Sequence, residues 1–266
     1  MTNDFKINKI DNFISEIRKI GQLLKDNKKN IKWVEIINAK KNTTQADITI
    51  DQMLKKIIVQ YGYDAPYYSE EVLHDIKERP KEYWLADPID GTASWLGGYI
   101  GYVIQAVFIR NNKPLYSFVY WPERDQFYHC SSGKGVMLNN SMINITKANI
   151  SSKIVIVDNY KKPRGFITKL FIKYPNLEYL EMGSLGLKSL LVAIDKCDLF
   201  IKTTPYKDWD VLPAFNIINE MKYKMLYLNG DTIDFGKKIS FTNGLLVFNP
   251  NKINQEIIDY IVKNGG

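Results

Sequence analysis

Nine residues, Trp84 to Thr92 (WLADPIDGT), hold the densest chemistry in the chain. The apolar approach Trp84-Leu85-Ala86 reads as the end of a buried strand. It delivers two carboxylates, Asp87 and Asp90, with Pro88 between them and Gly91 directly after. Two ionised carboxylates this close repel, and burying them unpaired is costly. A hard divalent cation that takes oxygen ligands, such as Mg2+, relieves that repulsion. Pro88 removes a backbone donor and stiffens the turn. Gly91 lets the chain bend tightly and gives an anion close access to backbone N–H groups, and Thr92 adds a hydroxyl. Asp-Pro or Asp-Gly alone is ordinary turn chemistry; what sets this stretch apart is the acidic residues elsewhere in the chain.

Three further acidic features stand out: Asp47 near a helix start, Glu70-Glu71 at a strand end, and Lys207-Asp208-Trp209-Asp210 before another helix. Taken singly, each is a solvated turn or a helix start, where Asp is favoured by the backbone dipole, so Asp210 alone reads as a cap. Taken together they supply what metal-assisted phosphate hydrolysis needs: carboxylates converging from distant segments, a group to orient a water, and N–H donors for phosphate oxygens. Glu70, Asp87, Asp90 and Asp210 are the candidate metal ligands, with the Ile89 carbonyl as a further oxygen. Gly91 and Thr92 offer N–H groups, Glu70 and Thr92 can position the water, and Asp47 can polarise Thr92.

The elements that must position these residues follow from periodicity. Apolar positions from Phe5 to Leu24 predict a helix over 5–24, left by a lysine cluster at Lys25, Lys28, Lys29 and Lys32. A second amphipathic helix is predicted from Ala46 to Tyr61, capped by Thr44 or Asp47. A short strand leads from Pro66 into Ser69, and strands at Tyr102–Arg110, Leu115–Trp121, Gln126–Cys130 and Val136–Leu138 form an antiparallel meander. Beyond Lys153 strands and helices alternate, with helices expected at 166–174, 185–194, 208–221 and 253–262. The expectation is an α+β protein with two lobes, an N-terminal metal-binding lobe over 1–148 and a C-terminal α/β lobe over 149–266 that completes the substrate site.

Composition narrows the function. With 266 residues, 45% of them hydrophobic, the chain can bury a large core. No apolar run is long enough to cross a bilayer, and the start MTNDFKINKIDNF lacks an apolar signal region, so a cytoplasmic protein without a membrane partner is expected. Two cysteines, Cys130 and Cys197, make no disulfide framework, and two histidines, His74 and His129, make no histidine-based metal site. The net charge of +7 admits a phosphate-bearing substrate or nucleic acid. The lysines are scattered, however, and no basic stretch is interleaved with aromatics as a base-stacking surface requires.

The chain resembles the inositol monophosphatase family of metal-dependent, lithium-sensitive phosphatases along nearly its whole length. DPIDGT is that family's central motif, TQAD at 44–47 resembles its T-x-x-D, and SEE at 69–71 matches its GEE or TEE. SGKGVMLNNSMINIT, GSLGLKSLLVA, WDVLPAFNIINE and GDTIDFGKK resemble further family stretches. The resemblance implies a layered α-β-α-β-α sandwich, a homodimer, two or three Mg2+ ions and inhibition by Li+. It puts the metal ligands on Glu70, Asp87, the Ile89 carbonyl, Asp90 and Asp210, the water-orienting pair on Glu70 and Thr92, and the supporting acid on Asp47. It rests the phosphate on Gly91 and Thr92, and the organic part of a small phosphate ester on Gly183, Ser184 and the loop before Asp210.

The sequence also departs from the family. Ala93-Ser94-Trp95 replaces T-N-F after DGT, and Asn219-Glu220-Met221-Lys222 replaces the EAGG ending. Thr203 stands seven residues before Asp210, where members acting on inositol phosphates usually carry a Glu. Lys188 resembles a lysine of members that hydrolyse 3′-phosphoadenosine 5′-phosphate, the alternative being a solvated helix lysine. The leading expectation is therefore a Mg2+-dependent, inositol-1-monophosphatase-like hydrolase of a small phosphomonoester. The alternatives are a 3′(2′),5′-bisphosphate nucleotidase or a non-catalytic RNA- or transcription-associated regulator on the same fold. Intact candidate ligands speak for catalysis, since a regulator would tolerate loss of Glu70 or Asp210.

Overall fold

The computed structural model describes residues 7–38, 43–72, 79–143, 153–233 and 239–265. Phe5, His74 and the expected lobe boundary at 148/149 lie outside these residues, as does most of the GDTIDFGKK stretch.

The first half opens with α1 (Ile10–Asp26), a single turn α2 (Ile31–Val34) and a small hairpin of β1 (Ile36–Asn38) and β2 (Thr43–Thr44). The long helix α3 (Gln45–Tyr61) follows, then β3 (Tyr67–Ser69), β4 (Glu82–Asp90) and a short α4 (Thr92–Leu96). The strands β5 (Val103–Arg110), β6 (Lys113–Trp121), β7 (Gln126–Ser131), β8 (Val136–Leu138) and β9 (Ser141–Met142) complete a seven-stranded sheet in the order β3-β4-β5-β6-β7-β8-β9. It is antiparallel throughout except at β3, which runs parallel to β4.

The second half alternates, as expected: β10 (Ile154–Asp158), α5 (Gly165–Lys173), β11 (Leu177–Glu181), α6 (Leu185–Ala193) and β12 (Leu199–Lys202). Then come β13 (Tyr206–Lys207), α7 (Asp208–Glu220), β14 (Lys224–Leu226), β15 (Ser240–Phe241), β16 (Leu245–Phe248) and α8 (Gln255–Asn264). Five of these strands form a mixed sheet in the order β11-β10-β12-β16-β14, and β13 pairs with β15.

Strand alternation sorts the core into layers. On β5, Ile104, Ala106 and Phe108 join the side chains of α1 and α3, while Val103 and Val107 face α6 and α7. On β10, Val155 and Val157 face α6 and α7 from the other side, while Ile154 and Ile156 face α5 and α8. The order is thus α1/α3, the seven-stranded sheet, α6/α7, the five-stranded sheet, α5/α8, which is the expected α-β-α-β-α sandwich. Every residue of α6 is buried, because a helix between two sheets has no solvent face. That corrects the reading of Lys188 as a solvated helix lysine: it is 3% exposed. Other differences are local. The first helix starts at Ile10, β4 continues beyond Ala86 through the acidic motif to Asp90, and α2, α4, β1, β2, β13 and β15 are too short for a periodic signal.

Candidate active site

Residues three apart in a regular strand face opposite sides of the sheet. Asp87 and Asp90 share a side because β4 bulges between them: Asp87 pairs with Gln105 and Asp90 with Val103, three steps on β4 against two on β5. Pro88 sits in that bulge and lacks the N–H that a regular ladder would need there. Gly91 then turns at φ +98°, a left-handed conformation that suits glycine, and a Cβ there would meet the Gly101 carbonyl at 2.7 Å.

Asp210 arrives from the first turn of α7, where its Oδ2 accepts the Lys207 N–H at 2.7 Å, so it caps the helix as well. Asp87, Asp90 and Asp210 each bring a carboxylate oxygen within 4.8 Å of the others. Glu70 follows β3 and is anchored through its N–H on the Ala86 carbonyl (3.2 Å). Its carboxyl lies outside that group of three but feels it: burial, then the charge of Asp210, pushes it up to about 8. Burial, then Asp90, pushes Asp210 up to about 7. Asp87 is held well above the usual carboxylate range by burial and then by Glu70, Asp90 and Asp210. Asp87 Oδ1 is buried and has no hydrogen-bond partner among the described residues. Acceptor-only oxygens that repel one another, one of them orphaned, form the donor set of a hard divalent cation, and the three aspartates fit one.

Asp90 also has a structural task. Its Oδ2 accepts from Ser184 Oγ (2.6 Å), Gly186 N (2.5 Å) and Gln105 Nε2 (3.2 Å), and its Oδ1 from Leu185 N (3.1 Å). The carboxylate therefore sits on the N-terminus of α6, where the helix dipole favours a negative charge. Ser184, at φ +61°, is strained for a non-glycine residue, and its hydroxyl also accepts the Leu187 N–H (2.9 Å).

Of the residues expected to position a water, Thr92 and its supporting acid Asp47 lie in contact. Thr92 Oγ1 lies 3.0 Å from both Asp47 Oδ1 and the Ile89 carbonyl. Asp47 is fixed in turn at the start of α3, its Oδ2 accepting from Thr44 N (2.6 Å) and Thr44 Oγ1 (2.7 Å) in a capping box. With its proton directed to Asp47 or Ile89, the Thr92 oxygen keeps lone pairs for a water. The Ile89 carbonyl, a candidate ligand in the sequence, is engaged here by Thr92.

A cleft of about 890 Å³ opens beside these carboxylates, lined by Asp90, Gly91, Gly183, Ser184, Lys188 and Asp210. Four basic side chains, Lys161, Arg164, Lys188 and Lys202, share it with Tyr99 and Tyr160. Lys188 hydrogen-bonds Asn159 Oδ1 and lies 4.9 Å over the Phe200 ring. Burial lowers its ammonium to about 8, against the opposing pull of Asp90 and Asp158. The Arg164 guanidinium stacks 4.4 Å over the Tyr160 ring. Thr203 is exposed and lines a smaller neighbouring cavity of about 230 Å³ instead of the main cleft.

Sequence reasoning missed three features. Asn159 and Arg164, from the loop between β10 and α5, and Lys202, at the end of β12, converge on the cleft and gave no local signal. Arg79 grips Asp208 through both terminal guanidinium nitrogens, Nη1 to Oδ2 and Nη2 to Oδ1, the latter at 3.3 Å. These side chains are 10% and 0% exposed, so Asp208 is neutralised by Arg79 and stays apart from the aspartate group. Gln105, fully buried on β5, was detectable as the polar member of the apolar run VIQAVFI.

The sequence model of the inositol monophosphatase family matches residues 8–265. A fructose-1,6-bisphosphatase/inositol-1-monophosphatase of Thermotoga maritima is 25% identical, over 96% of this chain and 99% of that protein. A 3′(2′),5′-bisphosphate nucleotidase CysQ of Haemophilus influenzae is 27% identical, over 70% of this chain and 72% of that protein. The inositol monophosphatase-II structure from Staphylococcus aureus superposes with a TM-score of 0.73 at 20% identity, covering 94% of this chain and 90% of that one. Matched from end to end by the family's pattern and by its layered fold, the chain belongs to the inositol monophosphatase family and is a metal-dependent phosphoric monoester hydrolase.

Proposed function

We propose that the chain is a Mg2+-dependent phosphatase whose preferred small, soluble phosphomonoester carries a second anionic group, as a sugar or nucleotide bisphosphate does. Asp87, Asp90 and Asp210 would hold the cation, with Glu70 and the Ile89 carbonyl completing the ligands. When bound, Mg2+ neutralises phosphate charge and makes a coordinated water a stronger nucleophile. The protein's own part is positional. Asp47 holds the Thr92 hydroxyl so that its lone pair orients the water together with Glu70. The N–H groups of Gly91 and Thr92 meet the non-bridging phosphate oxygens. Gly183 and Ser184 border the space left for the organic part of the substrate.

The observation that carries the substrate preference is the basic lining of the cleft, with Lys188 buried at its base. A lysine this buried needs an anionic neighbour to remain charged, and a second phosphate supplies one beyond Asp90 and Asp158. Thr203 lines the neighbouring cavity and brings no carboxylate to the cleft, where Glu181 is the acidic side chain outside the aspartate group, so the preference rests on the basic residues. The intact aspartate group favours catalysis over a purely regulatory role with nucleic acid. Inhibition by Li+ and a homodimeric state complete the proposal on the strength of the family resemblance. We place the enzyme in the cytoplasm, supported by two buried free cysteines; among the described residues no helix is long and apolar enough to cross a membrane. The test is phosphate release with Mg2+ from inositol 1-phosphate, fructose 1,6-bisphosphate and 3′-phosphoadenosine 5′-phosphate, by wild type and Lys188→Ala. A bisphosphate should lead in kcat/KM, and Lys188→Ala should erode that lead about ten- to a hundredfold, the worth of a charge-assisted hydrogen bond. A strong inositol 1-phosphate preference unmoved by the substitution would refute it.

A further inference from the structure

Gln105 is a fully buried amide on β5, on the strand face that carries Val103 and Val107 toward α6 and α7. A buried amide is costly unless its hydrogen bonds are made. Its Nε2 lies 3.2 Å from each of three acceptors: Asp90 Oδ2, the Trp209 carbonyl and the Asp210 carbonyl. All three being acceptors fixes the amide with nitrogen toward them, its two N–H groups shared among the three.

Pro213 explains why a carbonyl in the first turn of α7 needs an outside donor. In an α-helix the carbonyl of residue i accepts from the N–H of residue i+4. The helical donor for Trp209 would be residue 213, and that residue is a proline inside α7. Proline has no N–H, and its ring crowds the carbonyl four residues earlier. The Trp209 carbonyl thus loses its helical partner in a buried place, and Gln105 reaches it from the neighbouring sheet. The same amide hydrogen-bonds the backbone of Asp210 and the carboxylate of Asp90, two of the three grouped aspartates. On its other side, Oε1 has no hydrogen-bond partner among the described residues and lies against Gly186, where a Cβ would come within 2.2 Å, and the Gly186 N–H is itself a donor to Asp90.

We infer that Gln105 is a positioning residue for the metal site: it replaces the backbone donor that Pro213 removes and so locks the Asp210 turn of α7 to Asp90. The inference rests on reading the three aspartates as a cation site. Gln105 touches neither cation nor substrate; it fixes the separation of two ligands that arrive from different layers.

The test combines Gln105→Met, which keeps length and packing but removes the donor, with Pro213→Ala, which returns an N–H beneath the Trp209 carbonyl. Mn2+ affinity is read by calorimetry and by the electron paramagnetic resonance of free Mn2+, and Tm is measured in EDTA. Gln105→Met should weaken Mn2+ binding about ten- to a hundredfold, as expected for loss of an outer support of metal ligands, and should lower Tm in EDTA. Adding Pro213→Ala should recover a large part of both losses, because the helix then supplies its own donor. Mn2+ affinity within twofold of wild type in Gln105→Met overturns the inference. A deficit that Pro213→Ala leaves untouched overturns it too, since simple packing by Gln105 would give that result. If Gln105→Met alone does not fold, a folded double variant supports the coupling and an unfolded one refutes it. A wild type that binds no Mn2+ overturns the cation-site reading itself, and the inference with it.

Discussion

Asp87→Asn separates the cost of the acidic group to the fold from its value to the chemistry. Asp87 Oδ1 has no hydrogen-bond partner among the described residues, so an amide there forfeits no bond at that atom. The substitution does remove a charge within 4.8 Å of Asp90 and Asp210. At an effective dielectric of about 20, each ionised pair at that separation costs about 3 kcal/mol. Protonation relieves part of this in the metal-free protein, because burial and its neighbours hold Asp87 well above the usual carboxylate range. The net gain on substitution should be about 1–3 kcal/mol, or roughly 2–10 °C in Tm for a chain of this size. The assay is thermal unfolding at pH 7.5 in EDTA and again in saturating Mg2+, beside phosphate release. Asp87→Asn should melt higher than wild type in EDTA, gain little from Mg2+, and lose more than about 100-fold in activity, exceeding the effect of losing an outer support. A variant that melts lower than wild type in EDTA would refute the account of unrelieved repulsion. One that keeps its activity would refute the ligand assignment.

Three further outcomes follow from the same geometry. Thr92→Ala should lower kcat far more than it raises KM, because the hydroxyl held by Asp47 acts on the water in the transition state; steady-state kinetics check the split. Arg79→Met should destabilise the protein by about 3–5 kcal/mol by leaving Asp208 buried and unpaired, and Asp208→Asn added to it should restore most of the loss in denaturant unfolding. Glu70, pushed up to about 8, and Asp210, pushed up to about 7, bind protons in the metal-free fold that the unfolded chain has released above about pH 4.5. Tm in EDTA should therefore fall as pH rises from 5 to 8, and saturating Mg2+ should flatten that slope.

The parts of the site legible in the sequence were those written in local chemistry. Asp87, Pro88, Asp90 and Gly91 sit in one turn-rich string, and Thr44 with Asp47 spells a capping box before an amphipathic helix. The long helices α1 and α3 were legible because one face of each is buried and the apolar period shows it, and the central strands because, buried on both faces, they read as short apolar runs bounded by turns. The β4 bulge left no periodic trace: it is a mismatch between two strands, and it alone lets aspartates three apart face the same way. Lys188 stayed open between a substrate contact and a solvated lysine because an apolar helix bearing one lysine reads the same whether it lies on a surface or between two sheets. Gln105 and Trp209 are 104 residues apart, and Arg79 and Asp208 are 129 apart, so no window of sequence contains either partnership.

The most direct measurement of the central claim is phosphate release from fructose 1,6-bisphosphate and 3′-phosphoadenosine 5′-phosphate after EDTA treatment, as Mg2+ is titrated back, by wild type and Asp87→Asn. The account predicts negligible release without the cation, saturable recovery with it for wild type, and no recovery for the variant. Release that survives EDTA in wild type, or recovery to the wild-type rate in Asp87→Asn, would contradict it.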